Sequence, residues 1–324
     1  MAQGEIRFDG RAILVTGGGR GLGRAQALLL AARGASVVVA DNGAALDGED
    51  PSTAPAQAVA AEILAAGGAA VACAADIATE AGANAAVAAS LEAFGRIDGL
   101  VHNASTSPDL TGAAAISSRD LDLIMRINPM AGLWLARAAW PHMARQRFGR
   151  IVYMTSGGIY GSLGNAPYAA AKSAYIGLTR CLAVEGAKDG ILVNAAAPAA
   201  RTRMTERFQA SAYADWFFAT MAPEKVAVGV GYLLSEECAV QGEILALGGG
   251  RIARIALAES EGVMGGGESI EAVRACMPEV MADARFFQPK DLAERSAKVA
   301  ELFGFRGGLA ASSEYAVRPI EKGG

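Results

Sequence analysis

Histidine and cysteine are scarce in this chain. Two histidines (His102 and His142) and four cysteines (Cys73, Cys181, Cys238 and Cys276) are spread over 324 residues. Two imidazoles exclude a histidine-rich metal centre, and no metal is expected. Any His–Asp–nucleophile chemistry would have to run through one of those two rings. The cysteines have neither paired metal-ligand spacing nor the density of a disulfide framework, so a reducing cytoplasm is the expected compartment. Charged residues make up only 19% and the net charge is −4, which argues against a general nucleic-acid binder. No stretch is apolar for the ~20 residues that a membrane span needs. The opening MAQGEIRFDGR carries acids before any apolar run, so it does not read as a secretory signal.

What is present is apolar and glycine-rich. Hydrophobic residues reach 52%, enough for one large core with an appendage. Short continuous apolar runs recur: residues 12–16, 35–41, 69–74, 97–103, 149–156, 191–198 and 243–247. Helix-forming stretches separate them, near 22–33, 56–66, 80–94, 120–145 and from 167 onward. Continuous apolar strands alternating with helices predict a doubly wound α/β Rossmann fold with a seven-stranded parallel sheet, covered on both faces. Residues 1–250 are expected to form this domain and to carry every site. Residues 251–324 break the alternation. ESIEAVRACMPEVMA and PKDLAERSAKVAELFG read as amphipathic helices, so a helical C-terminal extension is expected, packed on the core or on a partner subunit.

TGGGRGLG, residues 16–23, follows the first strand and opens the first helix. A phosphate-cradling loop belongs there. Gly17 serves a tight turn, Gly21 a close backbone approach and Gly23 close helix–sheet packing, while the helix N-terminus offers free N–H groups to a pyrophosphate. Asp41 ends the second strand, where a carboxylate accepts the ribose hydroxyls of NAD and repels the 2′-phosphate of NADP. Arg20 pulls the other way. The balance favours NAD. Asp76, after the third strand, offers a carboxylate to an adenine amino group with Ile77 flanking the base, and would serve equally as a helix N-cap. Asn103 ends the fourth strand at the same carboxyl edge of the sheet.

Tyr168 and Lys172 lie four apart on one helical face. A phenol near its ordinary pKa is a poor base at neutral pH; an adjacent ammonium and a nicotinamide cation would favour the phenolate. Asn128, in IMRINPMAG, is a poor choice inside a helix, and Pro129 after it predicts a local kink that frees a backbone carbonyl. His102 reads as a packed or hydrogen-bonded histidine rather than a base.

With TGGGRGLG, Asp76, HNAS at 102–105, Asn128, YAAAK at 168–172 and VNAAAPAARTRM at 193–204, the chain resembles the short-chain dehydrogenase/reductase family over roughly residues 8–250. Within it, VVVADNG, GIYGSLGNAPYAAAK, RTRMTE and LGGGRIARIALAESEG are similar to the (3R)-hydroxyacyl-CoA dehydrogenase domains of peroxisomal multifunctional enzymes of type 2. The resemblance implies an NAD-dependent oxidoreductase interconverting a secondary alcohol and a ketone. It gives Tyr168 the proton exchange, Lys172 the nicotinamide ribose, and Asn128 a water on the proton relay. It implies that Leu22 and Ala104 join Gly17, Arg20, Gly21, Gly23, Asp41, Asp76, Ile77 and Asn103 around the cofactor, with Pro198 along the nicotinamide ring and Thr202 on its carboxamide.

The family's third hydroxyl is a serine thirteen residues before the tyrosine. That count lands on Thr155, whereas the strand register favours Ser156; Ser156 is the expected catalytic hydroxyl, with Thr155 as its rival. The family also has glycine after Pro198, where this chain has Ala199. The substrate is a small-molecule alcohol or ketone. A 3-hydroxyacyl-CoA leads, a steroid, terpenoid or other apolar cyclic alcohol follows, and a non-catalytic NAD-binding protein is the reading from another class. Residues 203–222, with Tyr213, Trp216, Phe217 and Phe218, read as a lid or as ordinary packing. Arg201, Arg203 and Arg207 are candidates for an acyl-CoA phosphate. Family relatives imply a homodimer or homotetramer through helices 120–145 and 167–185.

Overall fold

The computed structural model describes residues 4–107 and 110–304. Strands and helices alternate from the start: β1 (Ala12–Thr16), α1 (Gly21–Ala32), β2 (Ser36–Ala40), α2 (Ala54–Ala65), β3 (Ala69–Cys73), α3 (Glu80–Phe94) and β4 (Gly99–His102). Helix α4 (Ser118–Met125) runs through a π turn (Arg126–Met130) into α5 (Ala131–Gln146), which leads to β5 (Gly149–Met154), α6 (Ala166–Gly186) and β6 (Ile191–Pro198). Helices α7 (Ala212–Thr220) and α8 (Pro223–Leu234) precede β7 (Ile244–Gly248) and β8 (Arg251–Ile255).

The strands form one sheet in the order β3-β2-β1-β4-β5-β6-β7-β8. The first seven are parallel, as the apolar runs predict. The eighth corrects the seven-strand expectation. Residues 251–255, expected to open the extension, pair antiparallel with β7 in the register Gly248↔Arg251 through Ile244↔Ile255. Gly249 and Gly250, at φ +60° and +91°, make the two-residue turn whose twist matches a hairpin.

Side chains alternate faces along each strand. On β1, Ile13 and Val15 join the core beneath α1, α2 and α8, whereas Leu14 joins the core beneath α3, α5 and α6. Val37 and Val39 on β2 follow the first face and Val38 the second. Each such fully buried side chain contributes about 1.5–3 kcal/mol. The strand order reverses direction between β1 and β4. There the loops after these two strands part and leave a crevice at the carboxyl ends of the strands.

The chain divides into two compact units, 1–255 and 256–324. In the second, α9 (Ile270–Ala282) and α10 (Leu292–Leu302) bear out the two amphipathic helices, and a short antiparallel pair, β9 (Glu259–Ser260) with β10 (Phe286–Phe287), was not foreseen. Arg295 clamps Glu259 at 2.7 and 2.8 Å. Residues 305–324 of the expected extension lie outside the described residues. Among the described residues no helix is long and apolar enough to cross a membrane.

Candidate active site

The glycine loop leaves β1 at Thr16. Gly17 adopts φ +63°, and a Cβ there would meet Ala104 Cα at 2.8 Å and Asn103 Nδ2 at 2.9 Å. Gly23 lies against the same turn: a Cβ would fall 2.0 Å from the Gly17 carbonyl oxygen. Glycine at both positions therefore lets α1 press onto the strand end. Asn103 fixes the turn, its amide donating to the carbonyls of Thr16 at 3.1 Å and Gly17 at 3.2 Å. Arg20 is the N-cap of α1 and provides no side-chain cap, so the first N–H groups of the helix are left for an anion. Gly21 opens the helix, with the Thr202 methyl 3.6 Å from where its Cβ would stand. Leu22, beside it, packs against the α1-side core.

At the end of β2, Asp41 accepts from Gly19 N at 2.9 Å and from Gly43 N at 2.7 Å. Each carboxylate oxygen keeps a lone pair for a ribose hydroxyl. Arg20 donates to the Gly43 carbonyl at 3.3 Å, so the two rivals for cofactor choice face the same loop. Arg203 adds to this end. Desolvation lowers its pKa first, and the charge of Arg20 lowers it further against Asp41. Asp76 is not the helix cap: it closes a turn by accepting from Ala78 N at 3.1 Å, while Thr79 caps α3 by accepting from Gly82 N. Its neighbour Ile77 is buried in the core cluster that holds Leu14 and Val38, so the side chain expected to flank a base is used for packing. The uncapped helix, the Gly17–Ala104 contact and the Asp41 carboxylate together fit a dinucleotide.

Tyr168 and Lys172 stand near the start of α6. Lys172 is 2% exposed, and its ammonium donates to the Met154 carbonyl at 2.9 Å and lies 5.7 Å from the centre of the Tyr168 ring. Burial pulls the Lys172 pKa down to about 7. The Tyr168 phenol is raised by desolvation, and a hydrogen bond with Ser156 opposes that rise. The phenolate is expected from the ammonium and a nicotinamide cation together; without that cation, burial raises the phenol. The rival hydroxyls separate cleanly. Thr155 is buried and spends its Oγ1 on the Lys172 carbonyl at 2.8 Å. Ser156 accepts from Gly158 N at 3.0 Å and keeps its O–H for Tyr168.

Asn128 sits inside the π turn with Pro129, the irregularity its sequence predicts. Its amide donates to the Ile124 carbonyl at 2.9 Å, while its own Oδ1 is buried without a partner among the described residues. Its main-chain carbonyl faces His102 Nε2 at 3.1 Å. His102 is buried, as expected of a hydrogen-bonded histidine, and desolvation followed by the charge of Lys172 lowers its pKa to about 3. Thr16 was missed. Its hydroxyl meets His102 Nδ1 at 2.9 Å and accepts from the backbone N–H groups of Asn103 and Ala104, each at 3.1 Å. A hydroxyl ending an otherwise apolar strand at the carboxyl edge was the available signal.

Ala199, where family members have glycine, leaves the backbone path intact: Ala199 N still donates to the Leu247 carbonyl at 2.8 Å. Gly248 makes room for the extra methyl, since a Cβ on it would stand 2.8 Å from Ala199 Cβ. Pro198 ends β6 beside Leu247, and Thr202 follows at the head of the next loop, held by Thr205 Oγ1 at 2.8 Å.

Three segments rim the crevice. Thr111 N donates to the Gly164 carbonyl at 2.9 Å, and Arg207 to the Ser107 carbonyl at 3.3 Å, joining the loops after β4, β5 and β6. Phe208, Tyr213, Phe217 and Phe218 form one aromatic cluster. Phe217 is its buried anchor, whereas Tyr213 and Trp216 are exposed. Both readings of this segment are thus partly realised. A cavity of about 460 Å³ opens beside the rim, lined by Leu46, Thr106, Ser107, Arg119, Leu123 and Arg207.

The short chain dehydrogenase family model matches residues 11–212. The chain belongs to that family. It is 43% identical over 253 residues to a short-chain type dehydrogenase/reductase of Mycobacterium tuberculosis, covering 78% of this chain and 87% of the relative. It is 42% identical over 251 residues to mouse peroxisomal multifunctional enzyme type 2, covering 77% of this chain and 33% of that enzyme. The solved full-length type 2 enzyme of Drosophila melanogaster superposes with a TM-score of 0.76 at 30% identity, over 92% of this chain and half of that one. A 3-ketoacyl-(acyl-carrier-protein) reductase of Brucella melitensis solved with NADH superposes with a TM-score of 0.66 at 30% identity, over 75% of this chain and 99% of that one. The chain thus spans from 28% to 57% of the length of these multifunctional relatives. Those relatives overturn the cytoplasmic expectation, for their names place them in peroxisomes. The cysteine argument could not have told the two apart, because free thiols fit any reducing compartment equally.

Proposed function

We propose that this short-chain dehydrogenase interconverts a secondary alcohol and a ketone through Tyr168, Ser156, Lys172 and Asn128, with a 3-hydroxyacyl thioester of CoA as its substrate. It is an NAD(H)-dependent oxidoreductase acting on CH–OH and C=O groups. The observation that carries the residue roles is the Ser156–Tyr168–Lys172 arrangement at the carboxyl edge, with Thr155 tied to the backbone beside it.

Bound NAD supplies the acceptor for the hydride leaving the carbinol carbon. The chain's residues do the rest. Ser156 donates to the substrate oxygen and stabilises charge gathering there. Tyr168 takes the hydroxyl proton as the C–H bond gives up its hydride, and returns the proton in the reverse direction. Burial has raised the phenol, and once the Ser156 hydroxyl turns to the substrate oxygen the positive charges of Lys172 and the bound nicotinamide must bring it back into range. Lys172, lowered by burial to about 7, can release and regain a proton near neutral pH, and the unpartnered Oδ1 of Asn128 can accept a hydrogen bond from a water that carries it.

Substrate class rests on the likeness to the type 2 enzymes and on the apolar rim. Tyr160 and Leu163, on the loop before Tyr168, and Trp216 on α7 are large, apolar and exposed, which suits an acyl chain. The adjoining cavity sets Arg119 and Arg207 against Asp47 and Asp120, and Arg119 is paired with Glu49, so its charge does not by itself select CoA phosphates.

The test is a titration with NAD and NADP, followed by the absorbance of reduced nicotinamide with 3-hydroxyacyl-CoA esters and with apolar cyclic alcohols. Turnover of the esters, abolished in Tyr168→Phe with NAD affinity kept, is the expected result. Turnover of cyclic alcohols alone would replace the substrate class. Full activity in Tyr168→Phe would end the Tyr168 assignment.

A further inference from the structure

His102 is a buried titratable group beside the site that the mechanism above leaves unused, together with its neighbours Tyr153 and Tyr175. It stands at the end of β4 and is packed from every side. Thr16 faces it from β1, and Tyr153 from β5 with ring centres 6.4 Å apart. Tyr175 faces it from α6 at 6.0 Å, Lys172 is the nearby charge, and the Asn128 carbonyl meets it from the π turn. Gly132, just after that turn, leaves room for the ring: a Cβ there would stand 3.3 Å from His102 Cδ2 and 3.1 Å from the Tyr153 ring.

A carbonyl only accepts, so the nitrogen facing Asn128 O must carry the proton. Desolvation and the Lys172 ammonium keep the ring neutral. Nδ1 is then unprotonated and accepts from the Thr16 hydroxyl. That hydroxyl in turn accepts from the N–H groups of Asn103 and Ala104. One hydrogen-bonded line runs from the π turn to the backbone at the cofactor edge, with donors and acceptors matched at each link.

We propose that His102 is the positioning residue that holds the π turn open, and so fixes Asn128 behind Lys172 in register with the cofactor edge. A π turn carries one residue more than the α-helical ladder accommodates and leaves a carbonyl without its usual partner. In a buried site that carbonyl costs on the order of 1–3 kcal/mol when unpaired. Here the Ala131 N–H bonds the carbonyls of Arg126 and Asn128 and skips that of Ile127, and the His102 ring hydrogen-bonds the carbonyls of both Ile127 and Asn128. Without that donor, the turn relaxes toward α geometry, a slip of one residue that rotates Asn128 by about 100° around the helix axis. The proposal rests on the oxidoreductase reading for its kinetic consequence but not for its geometry.

The test compares wild type, His102→Asn and His102→Gln. Asparagine still accepts from Thr16 but is too short to reach Asn128. Glutamine carries an N–H near the position of Nε2. His102→Asn is expected to lower kcat on the order of tenfold, with KM for the alcohol nearly unchanged and a larger solvent deuterium isotope effect, because the proton step is the one disturbed. His102→Gln is expected to restore most of kcat. Equal losses in both variants with an unchanged isotope effect, or a wild-type rate in His102→Asn, would overturn the proposal. The nitrogen NMR of wild-type His102, which needs no variant and no turnover, is expected to report the neutral Nε2–H tautomer from about pH 5 to pH 9. Titration in that range, or the Nδ1–H tautomer, would overturn it too. A wild-type protein that oxidises no alcohol but keeps that tautomer would sink the oxidoreductase reading and leave the hydrogen-bonded line standing.

Discussion

Replacing Lys172 by methionine isolates the consequence of burying an ammonium with no carboxylate at hand. In the folded, cofactor-free protein Lys172 titrates near 7, whereas its ordinary value is 10.5. The unfolded chain therefore holds this proton across the window from 7 to 10.5 where the folded chain has released it, and stability rises with pH through that window. Below 7 both states carry the charge and the full penalty of burying it remains. From about pH 6 to about pH 9 the gain is about 3 kcal/mol, at 1.36 kcal/mol per unit over the part of the window crossed. Lys172→Met removes this dependence. It also removes the hydrogen bond to the Met154 carbonyl, but that loss shifts the whole curve and leaves its slope alone. Urea unfolding of both proteins without cofactor, at several pH values, reads the difference directly. The wild type should gain on the variant as pH rises, and parallel curves would refute the claim that Lys172 is desolvated as an ammonium.

Ser156→Ala should lower kcat by roughly 10²–10³-fold, as loss of a donor to the reacting oxygen does, while Thr155→Val should instead lower stability by about 0.5–1.5 kcal/mol through loss of its hydrogen bond to the Lys172 carbonyl. Steady-state kinetics and thermal melts of the pair separate the two roles. Gly248→Ala should cost about 1–3 kcal/mol by overpacking against Ala199. Adding Ala199→Gly should recover only part of it, because the Ala199 carbonyl stands 2.7 Å from the same new methyl; a double-mutant melt series measures this. Asp41→Asn should weaken NAD by roughly tenfold and narrow its advantage over NADP, since the charge that repels a 2′-phosphate is gone. An unchanged ratio of the two affinities would transfer cofactor choice to Arg20 and Arg203.

Much of this was legible because parallel sheets write their pattern locally. Seven apolar runs, each too continuous to be half-exposed, could only be strands covered on both faces, and the glycine spacing placed the ligand end. Asn128 with Pro129 announced a helix irregularity that the structure realises as a π turn. The antiparallel β8 was legible too, in the Gly-Gly pair between ILALG and RIARI, but reading those residues as the start of an extension hid the hairpin. Asp76 was misjudged as a cap because Thr79, three residues on, is an equally good one and local sequence does not rank them. The burial of Ile77 and the upward shift of the cofactor-free phenol were not legible for another reason. Both depend on how deeply a side chain is buried, which is a property of the assembled core.

The choice between Thr155 and Ser156 shows where spacing stops being informative. Counting back from Tyr168 crosses a loop of four glycines, Gly157, Gly158, Gly161 and Gly164, and such a loop absorbs one residue with little strain. Counting forward along β5 does not allow that slip, because moving a strand by one residue exchanges its two faces. Val152 and Met154 lie in the core under α1 and α8, Ile151 and Tyr153 in the core under α5 and α6, and Thr155 continues the alternation toward Lys172. A slip would put Tyr153, which bonds the Gly132 carbonyl at 3.1 Å, on the wrong side of the sheet and break the His102 cluster with it. The hydroxyl that reaches Tyr168 is therefore selected by the packing of the strand before it.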